Sequence, residues 1–359
     1  MRLYDIGLFR AKPVGRAIAS VFSMTPAGKG ELQEFANLCA RRFPIRTFNL
    51  NEHQIKSLFR DYAYLRYKFG FSMIDYFLYE LYRGSELIES LYMSDRDRVR
   101  IHHEVNQADY MHYFGDKKDF YDTFHEYMQE ECIFIENEND KSNFEKFVLD
   151  KNQVVIKPRD GQRGIGVEIA PVITEEQIHQ TWEKCLNNRL LVESVIKGCE
   201  EIQAYHEISL NTIRISTVLD PNGKAHILSA TIRTGTGIHV VDNGHSDGIY
   251  AAIDVDTGMI STIGYNANGD RFPVHPDSGK PFAGFVIPEW DRLKVLAMEV
   301  AEIIPEMRYI GWDWALDAEH RWFLIEGNEP GGIDVHQHPG FVMKKSQYVK
   351  ELGLKKFFH

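Results

Sequence analysis

Hydrophobic and polar positions divide the chain into two parts with different periodicities. Up to about residue 110, apolar residues recur at three-four spacing, as in ELQEFANLCARRF at 31–43, and strand-like alternation is scarce. This spacing predicts a mainly helical N-terminal region over residues 1–110. A stacking surface for sugars or bases is one interpretation of its aromatic residues, but aromatic residues at helical spacing favour a core between packed helices. They are Tyr62, Tyr64, Tyr67, Phe69, Phe71, Tyr76, Phe77, Tyr79 and Tyr82.

From about residue 115 the pattern alternates between helices and strands. Thr174 and Gln177 form a capping-box sequence ahead of a helix that ends near Asn187, and a second amphipathic helix is predicted over 289–304. Apolar runs at 190–195, 213–219 and 225–232 predict strands. We therefore predict an α+β architecture after the helical region.

The segment IGWDWALDAEHRWFLIEGNEPGG, residues 310–332, has the pattern of a β-hairpin. Two apolar runs flank the polar tetrad Asp317–His320. We predict a register in which residue 313 lies opposite 326 and residue 315 lies opposite 324. Because side chains alternate with a period of two, one face then carries Asp313, Glu326 and Asn328. The opposite face carries Trp312, Trp314, Phe323 and Ile325.

The polar face of this hairpin has the ligands of a magnesium site. Directly paired side chains lie about 5 Å apart at Cβ, and two carboxylates with an amide oxygen are hard ligands suited to Mg²⁺. A solvated hairpin face is the alternative. The apolar opposite face predicts instead that the hairpin is buried, and buried carboxylates need a counter-ion. We therefore predict that Asp313, Glu326 and Asn328 bind Mg²⁺.

A glycine-rich segment, IKPRDGQRGIGV at 156–167, follows a predicted strand over 154–157. Its glycines, Gly161, Gly164 and Gly166, run G-x-x-G-x-G, and Lys157 precedes them. The P-loop pattern requires a lysine and a hydroxyl residue after the last glycine, and the dinucleotide pattern is G-x-G-x-x-G. Neither pattern is present, so a nucleotide that binds here does so by a third arrangement.

Composition narrows the classes of function. A formal net charge of -11 argues against a nucleic-acid binder. The four cysteines are scattered without C-x-x-C spacing, which suits reduced thiols and predicts neither a disulfide framework nor a zinc site. No apolar run approaches the ~20 residues of a membrane span, and the start, MRLYDIGLFRAK, lacks a signal core. A cytoplasmic location is expected.

The chain resembles the ATP-grasp enzymes, specifically their sugar-transfer associated branch, over roughly residues 110–340. The matching segments are IKPRDGQRGIGV, LLVESVI at 190–196, SLNTIRI at 209–215, VDNGHSDGIYAAIDVDTG at 241–258, and GWDW with IEGN at 311–328. The resemblance implies two α+β lobes that grip ATP. Residues 111–200 would form a small lobe whose glycine-rich segment is a flexible lid, and 201–359 a large lobe with the metal and substrate site.

The resemblance also implies roles in binding ATP. Lys157 would contact the α- and β-phosphates, and the backbone N–H groups of 161–166 would close over the outer phosphates. Lys117 would be the second phosphate lysine, with Lys118 as the alternative. Glu193 would accept a hydrogen bond from the adenine amino group, and the Val195 backbone would meet the ring edge. Either Glu200 or Glu201 would hold the ribose.

The implied reaction is ATP-dependent activation of a carboxylate to an acyl phosphate, which an amine then attacks to give an amide. Arg214 and Arg233 are the candidates for stabilising the charge that develops, with structural salt bridges as the alternative. The related D-alanine ligases carry an arginine two positions before the first metal carboxylate, where this chain has Gly311. The expected substrates are a small acid and an amine, with uronic acids and amino acids considered, in surface-polysaccharide or peptide-conjugate biosynthesis. A kinase on the same fold and a scaffold without turnover are the alternatives.

Two further segments carry candidate residues, and the first, 235–248, is expected to form a loop over the acceptor side of the cleft. The run 235–248 is too glycine-rich to be regular, and its Asp242 and Asn243 match the family, whereas Asp247 departs from it. The segment DVHQHPG at 334–340 could suggest zinc, but it lacks a further histidine or cysteine at ligand spacing. We favour either a role in the substrate pocket or a supporting role behind the residues that bind metal and substrate, with His336 also a candidate general base for the amine.

Overall fold

A computed structural model describes the architecture of most of the chain. The described residues are 17, 20, 21, 24–41, 50–83, 90–128, 132–160, 166–238, 248–329, 331, 332, 334–338, 340 and 344–354. Every structural statement below refers to these residues.

The N-terminal part is helical, as the three-four spacing predicts. Its helices are α1 (Pro26–Arg41), α2 (Glu52–Phe69) and α3 (Met73–Leu78), followed by a 3₁₀ turn at Leu81–Arg83. Capping boxes at Asn51 and Ser72 begin α2 and α3, and Gly70 ends α2 in the left-handed conformation. Most of the aromatic residues form the core between these helices, which confirms their predicted role, although Tyr67 is 66% exposed.

Further helices lead from this region into the sheets. They are α4 (Asp95–Val105), α5 (His112–Gly115) and α6 (Lys117–Phe124), with 3₁₀ turns at Ala108–Tyr110 and His125–Tyr127. A capping box of Ser94 and Asp97 begins α4, and the Asp116 side chain accepts hydrogen bonds from the first turn of α6. Phe120 and Phe124 of α6 pack into the core of the larger sheet.

The smaller sheet contains four antiparallel strands within the described residues. These are β1 (Cys132–Phe134), β2 (Gln153–Pro158), β3 (Glu168–Pro171) and β4 (Leu190–Ser194), in the order β1-β4-β2-β3. Helices α7 (Lys141–Val148) and α8 (Glu175–Asn188) pack on it. Thr174 and Gln177 form the predicted capping box at the start of α8.

The larger sheet has the strand order β11-β10-β5-β6-β7-β8-β9 among the described residues, and its neighbouring strands are antiparallel. The strands are β5 (Thr212–Leu219), β6 (Ala225–Thr234), β7 (Ile249–Ile253), β8 (Gly264–Tyr265), β9 (Arg271–Phe272), β10 (Tyr309–Leu316) and β11 (Trp322–Asn328). The associated helices are α9 (Glu200–Gln203), α10 (Trp290–Ala301), α11 (Asp334–Gln337) and α12 (Lys345–Glu351).

The two faces of the larger sheet have different partners. One face packs under α10 in a large apolar core that includes Trp312 and Trp314. At one end of the other face, Ile101 and Val105 of α4 pack with Tyr309 and with Tyr348 of α12. Helix α4 therefore belongs to the core of this sheet, although it precedes residue 110. The division at 110 and 200 stays a prediction.

The predicted hairpin is present, but half of its predicted register is wrong. Asp313 lies opposite Glu326 as expected, whereas Ala315 lies opposite Phe323 rather than Leu324. A β-bulge after Asp313 causes this shift, because an extra residue on one strand reverses the faces of the residues beyond it. Trp322 and Leu324 therefore join the apolar core in place of Phe323 and Ile325.

Among the described helices, none combines the length and the hydropathy that crossing a bilayer requires.

Candidate active site between the two sheets

A row of polar side chains crosses four strands of the larger sheet. Thr231 on β6 pairs with Arg214 on β5, Arg214 pairs with Asp313 on β10, and Asp313 pairs with Glu326 on β11. Directly paired residues point to the same side of a sheet. The row therefore brings together two of the predicted metal ligands and one of the predicted catalytic arginines.

Asp313 is the centre of a hydrogen-bond network. Nε and Nη2 of Arg214 both donate to its carboxylate, with 2.6 Å between Nη2 and Oδ2. Arg233 donates from Nη1 to Oδ2 at 2.9 Å, and Asn328 donates from Nδ2 to Oδ2 at 3.2 Å. The Asn328 amide also donates to Oε1 of Glu326 at 3.1 Å. All three predicted metal ligands and both predicted arginines thus belong to one network.

The two carboxylates have opposite pKa shifts. Burial alone would raise the pKa of Asp313, but Arg214 and Arg233 hold it well below its usual range. Burial and the adjacent Asp313 carboxylate raise the pKa of Glu326. The arginines therefore neutralise Asp313 more completely than Glu326.

This donor set fits a hard divalent cation. Asp313, Glu326 and Asn328 offer two carboxylates and an amide, which are the oxygen ligands that Mg²⁺ takes. Glu326 still lacks full compensation for its charge, as its raised pKa indicates. A cation beside it would favour its ionised form and stabilise the carboxylate pair.

Two lysines outside the larger sheet influence the charge of this network. They are Lys157 on β2 of the smaller sheet and Lys117 at the start of α6. The Lys157 ammonium on β2 forms an ion pair with Glu193 on β4. Burial lowers the pKa of Lys157, but Glu193 and Glu326 raise it overall. Burial lowers the pKa of Lys117, and the Glu326 carboxylate acts in the opposite direction. Both lysines therefore lie within electrostatic reach of a predicted metal ligand on the other sheet.

Local structure favours Lys117 over Lys118 as the second lysine of the site. Lys117 is the first residue of α6, and its backbone N–H donates to the Arg159 carbonyl at 3.1 Å. The Lys118 ammonium instead pairs with Asp122 on the same helix at 2.7 Å. Lys118 thus has a local partner on the surface of α6.

The adenine and ribose predictions remain open. The Glu193 carboxylate, expected to meet the adenine amino group, is bound to Lys157, and Val195 follows the end of β4. Glu201 receives a contact from Nε2 of His320 at 3.3 Å, and these two residues with Cys199 form a group that could hold a metal ion. This group lies at the turn of the β10–β11 hairpin, at the other end from Asn328.

The lid and the acceptor loop lie largely outside the described residues. Gly161 and Gly164 are among the residues that are not described, as are Asp242, Asn243 and Asp247. Gly166 is described, with φ of +78°, and a Cβ there would lie 2.6 Å from Cγ of Pro158. Position 166 therefore requires glycine for both conformation and space.

Gly311 leaves room for an arginine from the neighbouring strand. A Cβ at Gly311 would lie 3.3 Å from Cδ and 3.6 Å from Nη1 of Arg214. The Arg214 side chain therefore passes over the position where the related D-alanine ligases carry an arginine in the sequence.

His336 is buried and electrically neutral. Burial, and then the charges of Arg214 and Lys344, lower its pKa to about 3. Its Nδ1 lies 2.6 Å from Oγ of Ser229, while Nε2 has no hydrogen-bond partner in the described part of the chain. A pKa this low keeps the imidazole neutral at neutral pH, and its role as a general base for the amine stays a prediction. A place in the substrate pocket stays a prediction.

Glu329, which directly follows Asn328, is a residue of the site region that was not predicted from the sequence. Its carboxylate is buried against His102 of α4. The sequence does show an acidic residue in the GNEPGG segment after an apolar strand. Its partner His102, however, lies far away in the sequence.

The family model described as sugar-transfer associated ATP-grasp matches residues 96–346. No curated protein sequence matches the chain.

Solved structures are similar at low sequence identity. D-alanyl-alanine synthetase A from Vibrio cholerae is 15% identical, with 68% of this chain and 66% of that chain covered and a TM-score of 0.42. L-amino acid ligase from Bacillus licheniformis is 13% identical, with 66% and 44% covered and a TM-score of 0.37. The ATP-grasp ligase PsnB, in complex with a minimal precursor, Mg and ADP, is 12% identical, with 66% and 56% covered and a TM-score of 0.39. The present chain thus spans 44% to 66% of the length of these three proteins.

Proposed function

Because this chain belongs to the sugar-transfer associated ATP-grasp family, we propose that it is an ATP- and Mg²⁺-dependent ligase that joins a carboxylic acid to an amine. The family assignment confirms the fold class predicted from the sequence, an ATP-grasp α+β fold that follows a mainly helical region. The substrates and the acyl-phosphate route belong to the proposal.

One observation carries the proposal: two buried carboxylates and two arginines form one network, and two lysines lie within electrostatic reach of it. Asp313 accepts hydrogen bonds from both arginines. The Glu326 carboxylate helps to raise the pKa of Lys157 and opposes the lowering of the Lys117 pKa by burial. Charges are costly to bury, so a concentration of them is typical of a site that binds charged ligands.

The cations in this network suit transfer of the γ-phosphoryl group of ATP. Lys157 and Lys117 would bind its phosphates by charge-assisted hydrogen bonds. Asp313, Glu326 and Asn328 would hold Mg²⁺, which neutralises the charge that develops on the phosphoryl oxygens. Arg214 and Arg233 are the candidates for stabilising the charge that develops on the acid substrate. Arg233 is favoured, because Nε and Nη2 of Arg214 already bind the two oxygens of Asp313.

The proposed reaction has two steps. A carboxylate oxygen attacks the γ-phosphorus, the bond to the bridging oxygen breaks, and ADP leaves with an acyl phosphate formed. The amine nitrogen then attacks the acyl carbon, phosphate leaves with the attacking carboxylate oxygen, and the nitrogen loses a proton. Surface-polysaccharide or peptide-conjugate biosynthesis would supply such acids and amines, and uronic acids and amino acids are the first to test.

The test measures ADP release with a panel of uronic acids and amino acids, each with and without an amine. The proposal predicts ADP release that depends on both an acid and an amine. ADP release with a hydroxyl substrate and no amine would indicate a kinase, and nucleotide binding without turnover would indicate a scaffold. Either outcome overturns the proposal.

Two variants link turnover to the site. Asp313→Asn should abolish ADP release, because the central carboxylate of the network is lost. Glu319→Gln is the matched control, since its side chain is 68% exposed at the turn of the same hairpin. Turnover should be unchanged in this control.

A further inference from the structure

A buried polar cluster joins helix α4 to the residue that follows the predicted ligand Asn328. His102 and Glu329 contact each other through Nδ1 and Oε1, and their side chains are only 6% and 3% exposed. Asn106, immediately after α4, donates from Nδ2 to the same Oε1 at 3.2 Å. The Glu329 carboxylate is thus held by two residues from outside the sheet.

Asn106 also fixes this cluster to the backbone of β10. Its Nδ2 donates to the Tyr309 carbonyl at 2.9 Å, and its Oδ1 accepts from the Tyr309 N–H at 2.9 Å. β10 carries Asp313 four residues further along. The cluster therefore connects the two strands that supply the proposed metal ligands.

A second contact fixes the chain beyond Glu329. The Tyr309 hydroxyl donates to the Gly331 carbonyl at 2.8 Å. A Cβ at Gly331 would lie 3.1 Å from the Gly311 backbone nitrogen, so the two segments are in close backbone contact. The chain after Asn328 is therefore fixed to β10 at two points. Glu329 is held through Asn106, and Gly331 is held by Tyr309 itself.

Stability alone does not explain a carboxylate at this position. Ile101 and Val105 already bury the apolar face of α4 against the sheet, and a well-packed apolar residue is often as stabilising as a buried polar pair. The cluster specifies where the chain lies after Asn328, because each of its hydrogen bonds has a required direction.

We propose that His102, Asn106 and Glu329 are positioning residues that orient Asn328 as a metal ligand, so that helix α4 is a working part of the active site. The inference rests on the proposed Mg²⁺ site at Asp313, Glu326 and Asn328. Residues that orient metal ligands typically change metal affinity by about 10- to 100-fold when they are replaced.

The test compares the affinity for AMPPNP, a non-hydrolysable ATP analogue, with and without Mg²⁺. The gain in affinity that Mg²⁺ produces reports on the metal ligands, whereas the Mg²⁺-free affinity reports on the lysines. Glu329→Ala should reduce the gain by about tenfold or more and leave the Mg²⁺-free affinity unchanged. Glu329→Gln keeps an acceptor for His102 and Asn106, so it should retain most of the gain.

Controls separate this proposal from general damage and from failure of the metal site. Glu104→Gln changes an exposed residue on the same helix and should match the wild type. If Glu329→Ala does not fold, His102→Ala provides the second variant, and the same reduced gain is expected. A wild-type gain in a folded Glu329→Ala or His102→Ala protein would overturn the positioning role. A wild-type gain in Asn328→Ala would instead overturn the proposed metal site itself.

Discussion

Replacement of the two arginines should separate charge stabilisation in the reaction from structural pairing. Both guanidinium groups bind Asp313, but they do so differently. Arg214 uses Nε and Nη2 on the two carboxylate oxygens, whereas Arg233 donates from Nη1 to Oδ2 at 2.9 Å. Arg214→Ala therefore removes the principal partner of a buried carboxylate, and Arg233→Ala removes a secondary one.

The expected magnitudes follow from this difference. Breaking a buried ion pair by removing one partner costs about 3–5 kcal/mol of the free energy of unfolding, which we expect for Arg214→Ala. Loss of one hydrogen bond to a charged group costs about 1.5–3 kcal/mol, which we expect for Arg233→Ala. Removing a donor that stabilises charge in the transition state lowers kcat by about 10²- to 10³-fold. Arg233→Ala should show this loss of kcat with AMPPNP affinity close to that of the wild type.

Steady-state ADP release and urea denaturation of the two variants provide the assay. Arg233→Lys should recover only part of the lost kcat, because an ammonium group lacks the planar fork of guanidinium. If Arg233→Ala has wild-type turnover and only a lowered free energy of unfolding, Arg233 is a structural partner of Asp313. The assignment of charge stabilisation to Arg233 would then be refuted.

Three further changes test other parts of the site. Glu326→Gln should unfold at the same or a higher urea concentration than the wild type, because burial disfavours the ionised form of Glu326 and so raises its pKa. The variant should nevertheless lose most ADP release. Near-wild-type release would show that Glu326 is not a metal ligand. Lys157→Ala should weaken AMPPNP binding by about 1.5–3 kcal/mol in calorimetry, whereas the control Lys146→Ala, at an exposed position of α7, should not. Equal affinities of Lys157→Ala and the wild type would place the phosphates elsewhere. Burial lowers the pKa of His338 to about 3, so the unfolded state takes up a proton first as the pH falls below about 6.5. That protonation should lower the free energy of unfolding by about 2 kcal/mol at pH 5. In His338→Gln the free energy of unfolding should decrease less between pH 7 and pH 5 than in the wild type. An equal decrease in both proteins would contradict the lowered pKa of His338.

The sequence was most informative where local pattern decides the structure. The capping box at Thr174 and the aromatic helical core depend on neighbours within a few residues, and both were predicted correctly. The bulge after Asp313 could not be predicted, because it inserts one residue without changing the apolar pattern on either side. The prediction failed beyond the bulge, at Phe323 and Ile325, and held before it, at Glu326.

Strand pairing and family motifs predicted residues that lie together in the structure. Asp313 and Glu326 pair directly, and Arg214 reaches Asp313 from the adjacent strand. The partners of Glu329 could not be predicted, because Asn106 is separated from it by 223 residues and joins it only through tertiary packing. Nor does the sequence reveal that burial lowers the pKa of His336, since a pKa depends on the completed environment.

The central claim is that the acid substrate attacks the γ-phosphorus of ATP, and oxygen transfer tests it most directly. The measurement uses an acid that supports ADP release, labelled with ¹⁸O in its carboxylate, together with ATP, Mg²⁺ and the amine. The account predicts one ¹⁸O atom in each released phosphate, because the carboxylate oxygen that attacks phosphorus leaves with it. Unlabelled phosphate, or a phosphoryl group that remains on a substrate hydroxyl, would contradict the account.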